Sequence, residues 1–346
     1  MAILGPLVFW GLWPWLWYDT IKRVGNYIGF HMHHAWYNIE YFGTTYFQPP
    51  FPVSYPFVMT LITIPLVTTV LALIGICWRL RFSIGRWLGR WWMLPAGARE
   101  RETTLKGINL FLLINMLFPM ILIALPKTPI FGGTKHWMPA WPFIALFAGF
   151  GFRAVSEGIE KVFDTWKPVP GRDEGGVKIR RAAVALSLGL LFLAPAGQQT
   201  EVSHPFGLSH YTLPIGETPG SADAGMCRQF WGFTTGSAAP WLNDNVEPDG
   251  RVYFHDTAWD SYNMLVRDAT LRRDIRWAGG VEGSDYAMVH WEQHMSGYEY
   301  AEWTWFGTST PAHVVSHQGV TILPIYTTPE RLAAIRQKSG AAADQD

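Results

Sequence analysis

Two basic side chains stand at the start of an apolar segment. Lys135 and His136 lie just before a stretch that contains Pro139 and Pro142, and Lys127 belongs to the same short polar loop. Proline is tolerated in the first turn of a helix because the N–H groups there have no helical partner. The dipole at a helix N-terminus also favours an anion. The three cations therefore predict a phosphate-binding site; the alternative is that they only neutralise lipid headgroups.

Histidines form a second candidate site. His31, His33 and His34 fall within four residues of one another, and Glu40 follows them. Histidines three positions apart lie on one face of a helix, and a carboxylate would add an oxygen ligand, so a divalent metal site is one interpretation. No second spaced pair is present. The favoured interpretation is that these histidines anchor a helix at the membrane surface, or that one of them binds a phosphate.

The segment His290-Trp-Glu292-Gln-His294 has the spacing of metal ligands only if it is helical. It follows a predicted strand, and it lacks the His-Glu-x-x-His order of zinc peptidases. No metal is therefore expected there.

Acidic side chains that could act as a catalytic base are scarce in the first half of the chain. Asp19 and Glu40 are the only acids before Arg79, and they do not form an acidic pair. His34 is a further candidate, but nothing in the sequence indicates what would orient it. The catalytic residue is left unassigned, with Glu40, His34 and Asp19 as the candidates.

Apolar segments predict the elements that must position these residues. A helix needs about 20 apolar residues to cross about 30 Å of hydrocarbon. A helix lying in the membrane interface is expected within the loop of residues 19–54, with Tyr27, Phe30, His34 and Tyr37 on one face. The transmembrane domain is predicted to cover residues 1–197, with five spans at about 2–18, 55–78, 104–125, 137–155 and 181–197.

Charges in the loops predict the orientation. Arginine and lysine are concentrated after the second and fourth predicted spans and are sparse in 19–54 and 126–136. Because basic loops stay cytoplasmic, we expect a multi-pass protein of a bacterial inner membrane, with a cytoplasmic N-terminus and a periplasmic or extracellular C-terminal domain. Basic and acidic residues balance at 27 each, which gives no reason to expect a nucleic acid partner.

Residues 198–330 predict a small extracytoplasmic α/β domain. Candidate strands at 251–255, 285–290, 311–316 and 319–326 alternate with candidate helices at 220–233, 237–246 and 259–271, which favours a partly parallel sheet. Residues after Pro329 resemble a helix that frays from Gly340 onward, and residues 331–346 are expected to be a frayed or disordered tail.

The basic and proline-containing segment carries a family resemblance. Lys135-His136-x-x-Pro139-x-x-Pro142, followed by residues 145–149, resembles a segment of the family 39 glycosyltransferases. These are relatives of the protein mannosyltransferases that use dolichyl- or polyprenyl-phosphate mannose, with the C-type membrane glycosyltransferase fold. The resemblance extends to Phe30-His31-x-His33-His34, Tyr41-Phe42-Gly43, Tyr55-Pro56, Gly225-Met226, Trp231-Gly232, Trp241-Leu242-Asn243 and Pro248-x-Gly250-x-Val252.

This resemblance implies the later half of such an enzyme, without the first span and the large loop that bears an acidic catalytic pair. It implies inverting transfer of a sugar from a polyprenyl-phosphate donor at the outer face of the membrane, with Lys135, His136 and Lys127 binding the lipid phosphate. Lys135 stands where the family tends to have arginine, so the charge is kept and the bidentate contact is lost. A second membrane chain would then carry the missing half.

Two functions of other classes remain open. One is a non-catalytic membrane subunit or scaffold that binds a protein partner through its outer α/β domain. The other is a transporter, which is disfavoured because no charged residue falls in the middle of a predicted span.

Overall fold

Helices make up most of the chain before residue 204. The computed structural model describes residues 3–33, 35–87, 98–130, 132–166 and 174–343. The only strands before residue 204 in these ranges form a short antiparallel hairpin, β1 (Ile39–Tyr41) and β2 (Thr44–Tyr46). The helices are α1 (Leu4–Leu12), α2 (Thr20–Met32), α3 (Tyr55–Thr63), α4 (Leu66–Trp87), α5 (Ala98–Ala124), α6 (Trp141–Trp166) and α7 (Glu174–Ser203).

Two helical segments are long and apolar enough to cross a membrane. They are Gly107–Ala124 in α5 and Gly133–Phe163, which includes most of α6. They confirm the apolar segments predicted at 104–125 and 137–155. The pair Tyr55–Thr63 and Leu66–Arg81 adds a third candidate only if its 119° bend lies within one span. The prediction of five spans is therefore wrong for the described ranges, which contain two or at most three candidates.

The predicted spans at 2–18 and 181–197 are not among these candidates. Helix α1 has only 9 residues, which is about 14 Å at the rise of a helix. Helix α7 is longer, but its uncharged apolar stretch, residues 182–197, covers only about 24 Å, because arginines precede it and glutamines follow it. Both fall short of the roughly 30 Å of a hydrocarbon core.

Helices α4 and α6 touch through their backbones at two glycines. A Cβ atom on Gly75 would lie 1.8 Å from the carbonyl oxygen of Phe147. A Cβ atom on Gly151 would lie 1.9 Å from the carbonyl oxygen of Leu71. Only glycine fits at such a crossing, which is how small residues allow membrane helices to approach closely.

The start of α6 is anchored in the helical core. Residues Gly133–Ala140 form a 3₁₀ helix that leads into α6. Trp137 in this segment is fully buried, and its indole N–H donates a hydrogen bond to Thr60 Oγ1 at 2.8 Å. A buried indole N–H needs such a partner, so Trp137 holds the segment against α3.

Strands and helices alternate in the C-terminal part of the chain. A five-stranded sheet has the order β4-β3-β5-β7-β6. Strand β3 pairs in parallel with both β4 and β5, whereas β7 pairs antiparallel with β5 and β6. The elements are α8 (Glu217–Asp223), α9 (Thr235–Asn245), β3 (Arg251–Phe254), α10 (Trp259–Arg267), β4 (Arg276–Ala278), β5 (Tyr286–Met288), α11 (Ser296–Phe306), β6 (His313–His317), β7 (Val320–Thr327) and α12 (Pro329–Ala343).

Residues 234–343, here called the sheet unit, have a core of their own. Leu242, Val252, Phe254 and Ile325 are buried in one cluster that contains no residue of the helices before 204. The sheet unit therefore buries its apolar side chains without help from the spans.

The segment 207–233 belongs to the helical core instead. Tyr211 and Met226 are buried in the same cluster as Tyr55 of α3. The Thr212 N–H donates to the Ile62 carbonyl at 2.8 Å, and the Gly43 N–H donates to the Gly225 carbonyl at 2.9 Å. This segment joins the sheet unit to the helices.

Several local predictions differ from the structure; the helix predicted at 220–233, for example, ends at Asp223. Helix α2 ends at Met32, so Tyr37 lies beyond the predicted interfacial helix, and His34 is outside the described residues. The hairpin β1–β2, strand β4 and helix α11 were not predicted. The helix expected after Pro329 is present as α12, and residues 344–346 of the expected tail lie outside the described residues.

Candidate functional site

Lys135 lies in a groove between the helices before residue 204 and the segment 207–233. Its ammonium group is 4.0 Å from the centroid of the Trp231 ring, a cation–π contact. The groove has a volume of about 410 Å³, and Met59, Met138 and Thr200 are among its lining residues. It therefore combines an apolar wall, contributed by α3 and the start of α6, with a cation at its rim.

Two aromatic side chains reach the backbone beside Lys135 because glycines leave room for them. Gly132 has a φ of 66°, and a Cβ atom there would lie 1.8 Å from Trp231 Cζ2. A Cβ atom on Gly133 would lie 3.4 Å from the ring of Phe230. Any other residue at 132 would push Trp231 away from Lys135 and would also strain the backbone.

The other two predicted phosphate ligands are placed differently. His136 is half-buried and is not among the residues that line the groove, and Lys127 is exposed outside it. The structure therefore brings one of the three predicted cations, Lys135, to the groove.

A second cavity, of about 320 Å³, adjoins the groove and is here called the acidic cavity. It shares Gly132, Phe230 and Trp231 with the groove. Asp256 and Glu292 bring carboxylates to its wall. Lys135 thus borders the groove, and the carboxylates of Asp256 and Glu292 border the acidic cavity. The aromatic residues Phe230 and Trp231 separate the two spaces.

Buried carboxylates and a histidine form a cluster at the edge of the acidic cavity. Glu40 Oε1 accepts a hydrogen bond from the His294 N–H at 2.9 Å and lies 3.0 Å from His294 Nδ1. Glu292 Oε2 lies 3.4 Å from the same Nδ1. Asn38 Nδ2 lies 3.3 Å from His294 Nδ1 and 3.4 Å from Glu292 Oε2. These four residues are called the Glu–His cluster below.

The pKa values in the Glu–His cluster are shifted by burial and by the proximity of two acidic side chains. Burial, reinforced by the charge of Glu40, raises the pKa of Glu292 to about 7. The hydrogen bond to Glu40 raises the pKa of His294 above its ordinary value. The cluster therefore holds at least one proton near neutral pH when no other cation is bound.

Two further histidines are neutral at pH 7. Burial lowers the pKa of His255 and that of His290 to about 4. His290 donates from Nδ1 to the carbonyl oxygen of His255 at 2.6 Å. This bond holds the chain just beyond the end of β3, where the next residue is Asp256.

Asp256 is the carboxylate most open to the acidic cavity. It is partly exposed, has a φ of 51° and lines the cavity wall. Burial of part of the side chain raises its pKa above the ordinary value for aspartate. Strained backbone of this kind is found at functional sites, because the surrounding structure must hold it in place.

No family model, curated protein or solved structure matches this chain significantly. The resemblance to family 39 glycosyltransferases therefore rests on the sequence motifs alone.

The candidate bases from the first half of the chain lie in different environments. Glu40 is buried in the Glu–His cluster, whereas Asp19 is exposed at the N-terminus of α2 and does not line the cavity. His33 is exposed, with Nδ1 3.1 Å from the Gly29 carbonyl of its own helix. The side chains of His31 and His34 are outside what the structure describes, so the structure does not test the metal interpretation of these three histidines, which the sequence did not favour.

Sequence reasoning missed Asp256 and dismissed the segment with Glu292 and His294. These residues follow β3 and β5, which are parallel neighbours, and ligands commonly bind beyond the carboxyl ends of such strands. The signal was present in His255-Asp256 after one strand and His290-Trp-Glu292 after the other.

Proposed function

We propose that this chain takes part in transfer of a sugar from a polyprenyl-phosphate donor at a membrane surface. The observation that carries the proposal is the adjacency of the groove with Lys135 and the acidic cavity with Asp256. Transfer of a sugar from a phosphate needs a cation that stabilises the negative charge of the departing phosphate. It also needs a base that removes the proton of the attacking hydroxyl. Lys135 and Asp256 supply these two groups in adjoining cavities.

The groove suits a lipid phosphate. Its wall includes Met59 and Met138 beside Lys135, so a polyprenyl chain would contact apolar side chains while its phosphate contacts the ammonium group. The 3₁₀ helix that begins at Gly133 and leads into α6 adds a helix N-terminus, which favours an anion. His136 and Lys127, the other predicted phosphate ligands, are given no direct role by this arrangement.

The acidic cavity suits the acceptor. A hydroxyl oxygen of the acceptor attacks the anomeric carbon, the bond from that carbon to the phosphate oxygen breaks, and polyprenyl phosphate leaves with its negative charge. Asp256 takes the proton of the attacking hydroxyl, and Lys135 lies on the side of the departing phosphate. A positioned base of this kind contributes on the order of 10²–10⁴-fold in rate.

The proposed location is a bacterial inner membrane, with the site at the outer face. Gln199, near the C-terminal end of α7, and Lys135, before the start of α6, line the same groove. Both residues therefore border one site, which the charge pattern of the sequence predicts to lie outside.

The test is binding of polyprenyl phosphate to the purified full chain in nanodiscs, followed by transfer of a labelled sugar. Lys135→Ala should weaken binding about tenfold or more, whereas Lys127→Ala, an exposed lysine of the same loop, should leave it unchanged. Asp256→Asn should leave binding intact and remove transfer, whether the chain acts alone or with a second membrane chain. Equal effects of the two lysine variants, or full transfer by Asp256→Asn, would refute the proposal.

A second candidate function is a scaffold that binds a protein. The sheet unit exposes Trp259 and Met264 on α10 and Tyr298, Tyr300 and Trp305 on α11. Exposed aromatic side chains are enriched in protein interfaces. Co-purification of a stable partner from native membrane, lost on Tyr300→Ser and Trp305→Ser but not on Lys135→Ala, would favour this function.

A further inference from the structure

Four donor groups of the Glu–His cluster converge on one point. The ligand atoms of Glu40, Glu292 and His294 all lie within 4.8 Å of one another. The amide of Asn38 approaches both His294 Nδ1 and Glu292 Oε2 at 3.3–3.4 Å. The oxygen and nitrogen of an asparagine amide exchange by a 180° turn, which would direct an oxygen to this point.

The two distances from His294 Nδ1 to the carboxylates match those between ligands of one metal ion. Ligands held about 2.0–2.2 Å from a metal ion are about 3.0–3.4 Å from each other at the angles of octahedral and tetrahedral sites. The distances from His294 Nδ1 to Glu40 Oε1 and to Glu292 Oε2 are 3.0 and 3.4 Å. A cation could enter between the donors with small side-chain adjustments.

Burial makes the two carboxylates depend on the few polar groups around them. The side chains of Glu40 and Glu292 are only 1% and 8% exposed. Among the described residues neither forms a salt bridge with a lysine or arginine; their partner is His294, and Arg228, whose charge interacts with Glu40, lies over the Trp291 ring at 3.6 Å. The amides of Gln229 and Asn38 reach Glu292 only at 3.4 Å, beyond a normal hydrogen bond. Buried charges are usually paired or coordinate metals.

One side of the cluster is open. Asn38 and Glu292 both line the acidic cavity, so a cation held by the cluster would face that space and could keep water or a substrate oxygen as a further ligand. Two carboxylates, an amide oxygen and an imidazole form a mixed oxygen and nitrogen set, which suits Mn²⁺ or Zn²⁺ better than Ca²⁺.

We propose that Glu40, Glu292, His294 and Asn38 form a binding site for one divalent transition-metal ion at the edge of the acidic cavity. This site is distinct from the histidines 31, 33 and 34 considered in the sequence. It does not depend on the lipid donor proposed above, because its evidence is the donor geometry alone.

The test is titration of the purified, chelator-treated full chain with Mn²⁺, followed by electron paramagnetic resonance, with Zn²⁺ titrated calorimetrically in parallel. One ion per chain should bind, and Glu40→Gln and Glu292→Gln should each weaken binding at least tenfold. Glu302→Gln removes another buried carboxyl, outside the cluster, and should bind as the parent does. Each variant is first shown to unfold cooperatively, so that misfolded protein is not counted as loss of the site.

A change of ligand type gives a second measurement. His294→Cys exchanges an imidazole for a soft thiolate, and it should favour Cd²⁺ over Mn²⁺ and give the ultraviolet absorption of a metal–thiolate bond. Absence of Mn²⁺ and Zn²⁺ binding at millimolar concentration would overturn the proposal. Binding that is unaffected by Glu40→Gln, Glu292→Gln and His294→Cys would overturn it as well. Neither result bears on lipid binding at Lys135.

Discussion

Glu40 and His294 are 254 positions apart in the sequence and are joined by two short contacts. The His294 N–H donates to Glu40 Oε1 at 2.9 Å, and His294 Nδ1 lies 3.0 Å from the same oxygen. Glu40 lies on β1, in a hairpin before the first long helix, and His294 lies in the 3₁₀ turn before α11. One carboxylate thus links the loop between α2 and α3 to the sheet unit.

Glu40→Ala should lower the thermal stability of the full chain. The change leaves the His294 N–H without its acceptor, and an unsatisfied buried donor costs about 1–3 kcal/mol. Glu40→Gln keeps an oxygen acceptor and should therefore lose less thermal stability than Glu40→Ala. Thermal unfolding in chelator, which removes any metal contribution, measures the difference. Equal midpoints for Glu40→Ala and the parent would mean that the contact does not support the fold.

Gly151→Ala should destabilise the pairing of α4 and α6. The added methyl would lie 1.9 Å from the Leu71 carbonyl oxygen, so the two helices must separate. Overpacking of this kind typically costs about 1–3 kcal/mol. Gly149→Ala, two residues earlier in α6, is the matched control, because nothing lies within 4 Å of its added methyl. Unfolding by denaturing detergent should separate the two variants; the same loss in both would show that helix flexibility, and not the crossing, is responsible.

Glu302 should make the stability of the sheet unit depend on pH. The side chain is fully buried, and neither carboxyl oxygen has a hydrogen-bond partner among the described residues. Burial, with the charge of Glu299 as a smaller cause, raises its pKa from 4.5 to about 9. Between these pH values the folded chain holds a proton that the unfolded chain has lost, so stability falls as pH rises through this range.

Glu302→Gln should remove this dependence. The variant should unfold at a higher temperature than the parent at pH 8, by a free energy on the order of a few kcal/mol. The difference should vanish towards pH 4.5, where Glu302 is protonated in both states. Glu282 is exposed, so Glu282→Gln is the control. It should change neither the pH dependence of the stability nor the midpoint of thermal unfolding. A constant offset between parent and Glu302→Gln at every pH would contradict the assignment.

The sheet unit should fold without the helices, provided that the cut is made at residue 234. The buried residues of its core, which include Leu242, Val252 and Phe254, all lie within 234–343, and Phe206 is a partly buried side chain that packs against them from outside. A fragment that starts at residue 204 would instead carry Tyr211 and Met226, which are buried against the helices and would become exposed. We expect a soluble monomer with cooperative unfolding from the shorter fragment and aggregation from the longer one, as measured by size-exclusion chromatography and circular dichroism. The opposite order would place the boundary of the folding unit before residue 207.

Local patterns predicted the elements whose signal lies within one continuous segment. The apolar segments of α5 and α6 were recognised because hydropathy over about 20 residues needs no tertiary information. Strands β3, β5, β6 and β7 were found from their flanking turns and β-branched residues. Strand β4 has three residues and the hairpin β1–β2 has three in each strand, and pairing partners, not local composition, define such short strands.

The same limit explains the error in the number of spans. A hydropathy pattern shows that a segment is apolar, but not whether its helix is straight. The bend of 119° between α3 and α4 and the short length of α1 are properties of the folded chain.

The sequence by itself identified Lys135 as a cation at the start of an apolar helix, and it identified Glu40 as a carboxylate without a partner. Only the tertiary structure decided that Lys135 faces Trp231 in a groove while Lys127 does not, and that Glu40 meets Glu292 and His294. The reason is physical. Charge and apolarity are properties of single residues and short segments, whereas burial and ligand geometry arise when distant segments pack together. In this chain the acids of the candidate site come from the far end of the polypeptide, where no spacing rule connects them to Glu40.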